Sequence, residues 1–331
     1  MRVLVLSHDD VRAALTPAAC LEAMSEVLAA RARGEAYMPL RSVMRPPGAA
    51  GLMGLMPAWR GGEATATFAL KAVCVMPGNP ALGLDAHQGV VALFDGATGQ
   101  PTAILDASAI TAVRTAAVSA LATSVLARAG ARVLAIVGAG VQAAAHLEAV
   151  LAVRDFEAVR VYAPTADHVR AVLASADGAA GGTALCAATS AEEAVRGADV
   201  VVTVTSSREP VLRREWLAAG AHVNAVGAST PAWRELDVET VAAAALFTDS
   251  RESLRNEASD YQLALDQGAI AGEDHVRAEL GEVIAGLRPG RANDGELTLF
   301  RSLGLAVEDL AAAQVAVVGA RRLGRGTEVE L

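Results

Sequence analysis

Three basic residues lie in otherwise apolar or strand-like surroundings. Arg41 follows the run MPL, Lys71 lies within TFALKAV, and Arg114 lies within ITAVRTAA. Buried Lys and Arg are rare unless they are paired or functional. An Arg offers a planar fork for a carboxylate, and a buried Lys has a lowered pKa suited to proton transfer. The pattern therefore indicates a site for a small carboxylated molecule, with ion-paired or snorkelling side chains as the structural alternative.

A second chemical signal is the segment ARVLAIVGAGVQ. The apolar run 133–137 is followed by Gly138, Gly140 and Ala143, and an apolar, Ala-rich stretch continues to Val150. This order of strand, glycine turn and helix is typical of dinucleotide binding. Gly138 permits the tight turn, Gly140 lets the backbone approach a pyrophosphate, and the helix N-terminus attracts the phosphate charge. A tight turn in an unrelated α/β protein is the alternative.

The end of the next expected strand bears on the choice of cofactor. NAD-binding folds place an Asp or Glu about 20 residues after the glycine turn, on the ribose hydroxyls. Here the strand ends in YAPT, and Asp167 comes slightly too late. Thr165, together with Arg170, could then contact a 2′-phosphate, so NADP(H) is favoured and NAD(H) is the alternative. Thr165 could equally be only the cap of the following helix.

Hydroxyl side chains follow two further strands. Thr205 lies within the run TVTSS, and Ser229 ends the run VGAS. Ligands of open α/β sheets lie beyond the carboxyl ends of the strands. These two residues are therefore expected on the nicotinamide side, with ordinary turn chemistry as the alternative.

The elements expected to position these residues follow two different patterns along the chain. Residues 3–6 predict a strand, Ser7 an N-cap, and the periodic positions from Val11 to Leu28 a helix that ends at Gly34. Short strands, arranged as an antiparallel meander, are then expected at 41–44, 65–75, 89–94 and 102–105. A long Ala-rich helix follows at 109–128.

From Arg132 onward, strands and helices alternate. Strands are expected at 133–137, 158–162, 183–187, 199–205, 222–226 and 245–248, with helices that include 167–175 and 191–196. This alternation predicts a parallel sheet covered on both faces. A last helix is expected at 305–322. The fold class is therefore α/β, a Rossmann dinucleotide-binding domain inserted after a mixed α+β region to which the C-terminal helix returns.

Net charge, cysteine spacing and hydropathy limit the kinds of partner and the cellular compartment that are expected. The chain has 331 residues and a net charge of −9, which argues against nucleic acid or an anionic membrane surface as a partner. The three cysteines form no C-x-x-C pair, and no metal site is expected. No signal-peptide core or apolar run of membrane-span length is apparent, so a cytoplasmic, soluble protein is expected. The acidic doublets Glu192-Glu193 and Glu308-Asp309 are expected on solvated helix faces.

Several spaced segments together resemble the ornithine cyclodeaminase/mu-crystallin family. They are MPLRSVM, FALKAVCVMPGNPALGLDAHQGVVALFD, DASAITAVRTAAVSALA, VGAGVQA, HVNAVGASTPAWRELD and DGELTLFRSLGLAVEDLAAA, and the resemblance spans about residues 5–320. It implies a homodimer, with a substrate and dimerisation domain at 1–115 and 305–331 and a Rossmann NAD(P)-binding domain at 116–304. It further implies hydride transfer at the carbon that bears the nitrogen of an amino or imino acid.

The resemblance also assigns roles to single residues. Arg41, Lys71 and Arg114 match positions that bind the substrate carboxylate, and Lys71 is also the best acid/base candidate. The positions that match cofactor-binding residues are Thr115, Gly138, Gly140, Val141 and Gln142, with Ser302 close to the nicotinamide side. His87 lies in a matching segment, where it either shapes the site or makes structural hydrogen bonds.

One position departs from part of the family. Ornithine cyclodeaminases and the related archaeal alanine dehydrogenase carry an Asp where this chain has Ser229. A serine is no general base at neutral pH without help. The expected activity is therefore NAD(P)H-dependent reduction of a carboxylated imine of the Δ1-pyrroline-2-carboxylate or Δ1-piperideine-2-carboxylate type. The alternatives are an ornithine cyclodeaminase or alanine-type dehydrogenase, and a non-catalytic, mu-crystallin-like binding protein.

Overall fold

The computed structural model describes residues 1–62, 66–176, 181–229 and 232–331. Its strands are β1 Arg2–Leu6, β2 Ala36–Tyr37, β3 Ser42–Met44, β4 Leu52–Arg60, β5 Thr67–Val75, β6 His87–Asp95, β7 Pro101–Asp106, β8 Val133–Val137, β9 Ala158–Tyr162, β10 Ala184–Ala187, β11 Val200–Thr203, β12 His222–Ala225, β13 Ala245–Thr248, β14 Val276–Glu279, β15 Thr298–Arg301 and β16 Thr327–Glu330. Its α-helices are α1 His8–Ala14, α2 Pro17–Ala32, α3 Ala107–Leu126, α4 Val141–Leu151, α5 Ala166–Ser175, α6 Ala191–Val195, α7 Val238–Ala243, α8 Arg251–Glu257, α9 Ser259–Asp266, α10 Leu280–Ile284 and α11 Ala306–Leu323.

The chain divides into two compact units. The first comprises Met1–Arg114 and Leu305–Leu331, and the second comprises Thr115–Gly304. The first unit is thus built from both ends of the sequence, and the boundary at 114/115 falls within α3.

The first unit is built on a mixed sheet. Its strand order is β16-β1-β7-β6-β5-β4-β2, with β3 paired to β4. Strands β4 to β7 form an antiparallel meander, whereas β1 and β7 are parallel. Side chains alternate between faces along each strand, so Ala69, Lys71 and Val73 share one buried face of β5. That face packs against α11.

The opposite face of this sheet is apolar and open. Side chains there alternate with the buried ones on β4, β5 and β6, and they are exposed or half-exposed: Met53, Leu55, Phe68, Leu70, Val90 and Phe94. Phe68 is 48% exposed. A contiguous apolar sheet face of this kind is typical of a surface that another protein covers.

The second unit is a doubly wound parallel sheet. Its strand order is β10-β9-β8-β11-β12-β15-β13-β14, and every pair is parallel. The order reverses direction between β8 and β11, which is the switch point where open α/β sheets bind ligands. The α/β fold class with a Rossmann-type domain and a mixed domain is thereby confirmed.

Most predicted elements are present, but the N-terminal helix was predicted wrongly. A single helix was expected after Ser7, and the structure has two. Ser7 caps α1 through a capping box with Asp10, and Thr16 caps α2, whose first residue is Pro17. Proline suits the first position of a helix and disfavours helical backbone in the residue before it, so Pro17 breaks the apolar period.

Some strands were not predicted from the sequence. Strand β4 was not predicted, because Gly54 and Pro57 interrupt its alternation. Strands β14, β15 and β16 were also missed, although β15 lies inside the parallel sheet. The strand expected at 65–75 begins at Thr67 in the structure, and Thr65 lies outside the described residues.

Helix α3 has the length and hydropathy of a membrane span. Its apolar window has a mean hydropathy of 1.5, and 83% of that window is buried inside the structure. Helices α1 and α2 meet the same test only when they are joined across a bend of 82°. The burial of α3 is typical of a core helix.

Candidate functional site

The three cations singled out in the sequence converge on one face of the first unit. Lys71 on β5 is the register partner of Met56 on β4. Ser42 opens β3 opposite Leu55, so the antiparallel register places the preceding residue, Arg41, in line with Met56. Arg41 is close enough for its charge to lower the pKa of Lys71.

Lys71 and Arg114 meet a pair of carboxylates from α11. The Lys71 Nζ donates to Asp309 Oδ1 at 3.1 Å, and the Arg114 Nε donates to the same oxygen at 2.9 Å. A further guanidinium N–H of Arg114 donates to Glu308 Oε2 at 2.9 Å. All four side chains are almost fully buried, from 0% to 6% exposed. The result is a buried cluster of alternating charges, which we call the four-charge cluster.

The acidic half of this cluster corrects the sequence analysis. Glu308 and Asp309 were expected on a solvated helix face, and they are 0% and 1% exposed. They lie in the first turn of α11, where carboxylates also favour the positive end of the helix dipole. Two buried cations need anionic partners, and this requirement is the signal that could have identified Glu308 and Asp309.

The cluster gives Lys71 an unusual protonation equilibrium. Burial lowers the pKa of Lys71 from 10.5 to about 8, against the opposing effect of Asp309. Burial raises the pKa of Asp309, but the charges of Arg114 and Lys71 outweigh it and hold that pKa below its ordinary range. Lys71 is also the only lysine of the chain. The ammonium can therefore exchange a proton near neutral pH while Asp309 stays ionised.

His87 lies on the same sheet face, four residues from the position opposite Lys71. Burial lowers the pKa of its imidazole, and the charges of Lys71 and Arg114 lower it further against the opposing Asp85. Its Nδ1 lies 3.9 Å from Asp85 Oδ1. Ser108 Oγ donates to the His87 carbonyl and so ties β6 to the start of α3. A neutral His87 near the cluster is able to shape the site without adding charge.

In the second unit, the glycine turn has the geometry that phosphate binding requires. Gly138 has φ +126°, and a Cβ there would lie 2.6 Å from the Val204 carbonyl oxygen. Gly140 is the N-cap of α4, no side chain caps it, and a Cβ there would meet nothing within 4 Å. The first position needs glycine for the turn, and the second leaves open space at a helix N-terminus. These residues fit the pyrophosphate of a dinucleotide.

The other residues expected at the cofactor occupy different environments. Val141, the first residue of α4, is 59% exposed, and the next residue, Gln142, is half-buried. The Gln142 carbonyl lies 2.7 Å from His146 Nδ1. Thr115 is buried in α3, at the first position of the second unit.

The end of β9 carries no carboxylate at its tip. Thr165 is exposed and occupies the N-cap position of α5, but its side chain makes no capping hydrogen bond. Its hydroxyl is therefore not committed to the helix. Arg170 forms an exposed ion pair with Asp167 one turn along α5, so it is already engaged by a neighbouring acid.

A buried acid that the sequence analysis missed organises the ends of β11 and β12. Glu235 is fully buried and accepts from Thr203 Oγ1 at 2.9 Å, Thr205 N at 2.6 Å and Gly227 N at 2.7 Å. Burial raises its pKa despite these donors. Thr205 is thus held through its backbone, and its hydroxyl accepts from Ser207 N at 3.2 Å.

Ser229 and Ser302 lie at the ends of β12 and β15, linked by Arg301. Arg301 is buried, is paired with Asp260 at 3.0 Å, and donates to the carbonyls of Ala225 and Ala228. Ser302 is buried and its N–H donates to Ala225 O at 3.0 Å. Ser229 is half-buried, and the next two residues of its GASTP segment, 230 and 231, lie outside the described residues. Arg301 was not singled out in the sequence.

Among the residues that the structure describes, no group of three or more His, Cys, Asp or Glu side chains is arranged to hold a metal ion. In the first unit, Arg41 and His87 lie near the four-charge cluster, and their environment is coupled to its charges.

Comparisons with known proteins identify the family of the chain. A family model described as "Ornithine cyclodeaminase/mu-crystallin family" matches residues 1–320. The mouse (Mus musculus) ketimine reductase mu-crystallin is 40% identical over 282 residues, 85% of each chain. A Δ1-pyrroline-2-carboxylate reductase of Bacillus thuringiensis is 38% identical over 81% of this chain and 82% of its own.

A solved structure is similar over the whole length. The Δ1-pyrroline-2-carboxylate reductase of Thermococcus litoralis, in complex with NADH and L-proline, matches with a TM-score of 0.94 and 35% identity, over 99% of this chain and 100% of that one. On the family match and these identities, the chain belongs to the ornithine cyclodeaminase/mu-crystallin family.

Proposed function

We propose that this protein is a nicotinamide-dependent oxidoreductase that reduces the C=N bond of a small carboxylated imine. The observation that carries the proposal is the meeting of Lys71 and Arg114 at Asp309 Oδ1 in a buried site. Relatives that are 38% to 40% identical are named for this class of reaction. The substrates we propose are Δ1-pyrroline-2-carboxylate and Δ1-piperideine-2-carboxylate.

Arg41 and Arg114 are the residues proposed to hold the substrate carboxylate. Guanidinium groups bind carboxylates through paired N–H donors. Arg114 is oriented by Glu308 and Asp309, and the half-buried Arg41 adds a third cation. Fixing the carboxylate restricts how the adjacent C=N carbon can be presented, which is the positioning component of catalysis.

Lys71 is the proposed proton donor. Reduction of an imine adds a hydride to carbon and a proton to nitrogen, and the nicotinamide supplies the hydride when bound. With a pKa of about 8, the Lys71 ammonium is mostly protonated at neutral pH and still acidic enough to give up its proton. Oxidation of the amino acid would use the same group in the opposite protonation state.

Gly138, Gly140, Val141 and Gln142 are proposed to hold the pyrophosphate, with Thr115, Thr205, Ser229 and Ser302 around the remainder of the cofactor. We propose a preference for NADP(H), because the tip of β9 has no carboxylate to repel a 2′-phosphate and because the Thr165 hydroxyl makes no cap. NADH occupies the solved relative, so NAD(H) is the alternative cofactor.

Ser229 supports reduction over cyclodeamination. Ser229 is half-buried, and a serine has no means of accepting a proton at neutral pH unless a base assists it. The proposed chemistry therefore leaves nitrogen on the product and releases no ammonia.

A homodimer is also proposed, formed through the open sheet face of the first unit. Leu55, Phe68 and Val90 are 37%, 48% and 42% exposed on that face. A second copy of the chain would cover this apolar surface by the same patch on both subunits, as two-fold interfaces do.

The test of the proposed function is a substrate panel followed by loss of reduced nicotinamide absorbance. Each cyclic imine is offered with NADPH and with NADH, alongside pyruvate with ammonia. A separate arm offers ornithine with NAD⁺ and measures the release of ammonia. The proposal predicts turnover of a carboxylated cyclic imine that Lys71→Met abolishes. Ammonia release from ornithine, or no turnover of any carboxylated imine by folded protein, would contradict it.

A further inference from the structure

The Asp309 carboxylate accepts hydrogen bonds from two cations that lie on different elements. Lys71 lies on β5 and Arg114 on α3, and both donate to the same carboxylate oxygen. The other oxygen, Oδ2, has no hydrogen-bond partner within the described part of the chain. The charge of Asp309 is therefore balanced through the one oxygen that the two cations share.

Asp309 is covered by protein. Its side chain is 1% exposed, compared with 4% for Lys71. A group so deeply covered acts through its neighbours. Because the mechanism proposed above uses Lys71 and Arg114 directly, any influence of Asp309 on the reaction passes through those two side chains.

We propose that Asp309 is a positioning residue that keeps the Lys71 ammonium charged and beside Arg114, and that Glu308 acts on Arg114 and leaves Lys71 largely unaffected. The proposal rests on the proposed function and deepens it. According to this proposal, two adjacent carboxylates in the same turn of α11 have different roles. Asp309 controls the proton of Lys71 and shares in orienting Arg114, whereas Glu308 contributes to the orientation of that guanidinium alone.

The charged groups around Lys71 favour this division. Asp309 raises the pKa of Lys71, whereas burial, Arg114 and Arg41 lower it. His87 is held neutral by the same surroundings, with Asp85 next to it. On α2, burial raises the pKa of the Cys20 thiol to about 12, so it stays uncharged.

Glu308 differs from Asp309 in what it contacts. It accepts from Arg114 at 2.9 Å and from the backbone N–H of Leu305 at 3.1 Å, which closes the capping box of α11. Within the described residues, the hydrogen bond of the Lys71 ammonium goes to Asp309 and none goes to Glu308. Glu308→Gln is therefore a matched control, because it too removes one buried negative charge from the four-charge cluster.

The single lysine of the chain makes the test direct. Protein grown with ¹³Cε-lysine gives one lysine resonance, and its titration reports the protonation of Lys71 without any turnover. The proposal predicts a wild-type midpoint of about 8. Asp309→Asn should lower the midpoint by about one to three pH units, the usual effect of an opposite charge at contact. Glu308→Gln should lower it by much less.

Kinetics supply the second readout. At neutral pH, Asp309→Asn should reduce kcat more than it changes KM, whereas Glu308→Gln should chiefly raise KM. Equal displacements of the midpoint in both variants, or an unchanged midpoint in Asp309→Asn, would overturn the inference. A wild type that titrates as expected but reduces no imine would instead refute the proposed function and leave this inference standing.

A folding failure of Asp309→Asn would not end the test. Asp309→Glu keeps the charge, but its longer side chain displaces the shared contact. The proposal then predicts a midpoint below that of the wild type and a reduced kcat. Wild-type values for both would overturn it.

Discussion

The Nζ of Lys71 lies 3.1 Å from Oδ1 of Asp309, across 238 positions of sequence. One residue belongs to the N-terminal meander and the other to the C-terminal helix α11. The cluster can form only when the C-terminal helix returns to the N-terminal sheet. The discontinuous first unit is thus a requirement of the charged site as well as of core packing.

The first prediction concerns the pH dependence of the reaction. Lys71 is protonated below its pKa of about 8 and loses the proton above it. The rate of imine reduction, measured as kcat, should therefore fall as pH rises through about 8. The rate of amino acid oxidation should rise over the same interval, because that direction needs the free amine.

Lys71→Arg is the control for this profile. It keeps a positive charge but holds its proton at every accessible pH, so the limb near pH 8 should disappear and kcat should drop about 10²-fold or more. A Lys71→Arg variant that retains the wild-type profile would show that another group supplies the proton.

The second prediction concerns stability. Arg114→Met leaves Glu308 and Asp309 buried with one cation fewer, and breaking a buried pair in this way costs about 3–5 kcal/mol of the free energy of unfolding. Arg170→Met removes the exposed pair with Asp167, both more than two-thirds exposed, and should cost less than about 1 kcal/mol. Chemical denaturation measures the free energy of unfolding of both variants. Equal losses in Arg114→Met and Arg170→Met would show that the four-charge cluster does not stabilise the fold.

The cations and the glycine turn could be predicted from the sequence because the patterns that indicate them are local. An Arg or Lys inside an apolar period and a glycine after a strand can each be recognised within a few residues. The roles of Glu308 and Asp309 could not be recognised that way. An acidic pair in the first turn of a helix is typical of solvated helices, and only the long-range packing of α11 on β5 buries it.

The missed strands have similar causes. Strand β4 contains Gly54 and Pro57, which weaken a strand pattern, and its nine residues are held by pairing with β5 on one side. Strand β15 has only four residues, TLFR, all buried. It is too short to show a period that would distinguish a strand from a helix segment. Arg301 within it is satisfied by a distant partner, Asp260.

The third prediction separates folding from cofactor binding in the glycine turn. Gly138→Ala forces a side chain onto a residue with φ +126° and against the Val204 carbonyl, and strain of this kind costs about 1–3 kcal/mol. Gly140→Ala meets no protein atom, so the protein should keep its Tm. Its affinity for the reduced nicotinamide should fall about tenfold or more, equivalent to about 1.4 kcal/mol. Unchanged cofactor affinity in Gly140→Ala would argue against pyrophosphate binding at this turn.

The fourth prediction concerns cofactor preference. Ala163→Asp places a carboxylate at the tip of β9, next to Pro164 and Thr165. It should weaken NADPH binding by charge repulsion and favour NADH, through a hydrogen bond to the ribose. Thr165→Ala, without added charge, should weaken NADPH alone. If neither variant changes the ratio of kcat/KM for the two cofactors, the proposed NADP(H) preference is wrong.

The roles of Arg41 and Arg114 can be tested with two imines that differ by one group. Δ1-Pyrroline-2-carboxylate and Δ1-pyrroline share the ring and the C=N bond, but only the first offers a carboxylate to Arg41 and Arg114. We expect NAD(P)H oxidation with the first imine and a kcat/KM about 10³-fold lower with the second, because both the charge-assisted hydrogen bonds and the positioning that they provide are lost. Comparable kcat/KM values for the two imines would contradict these roles.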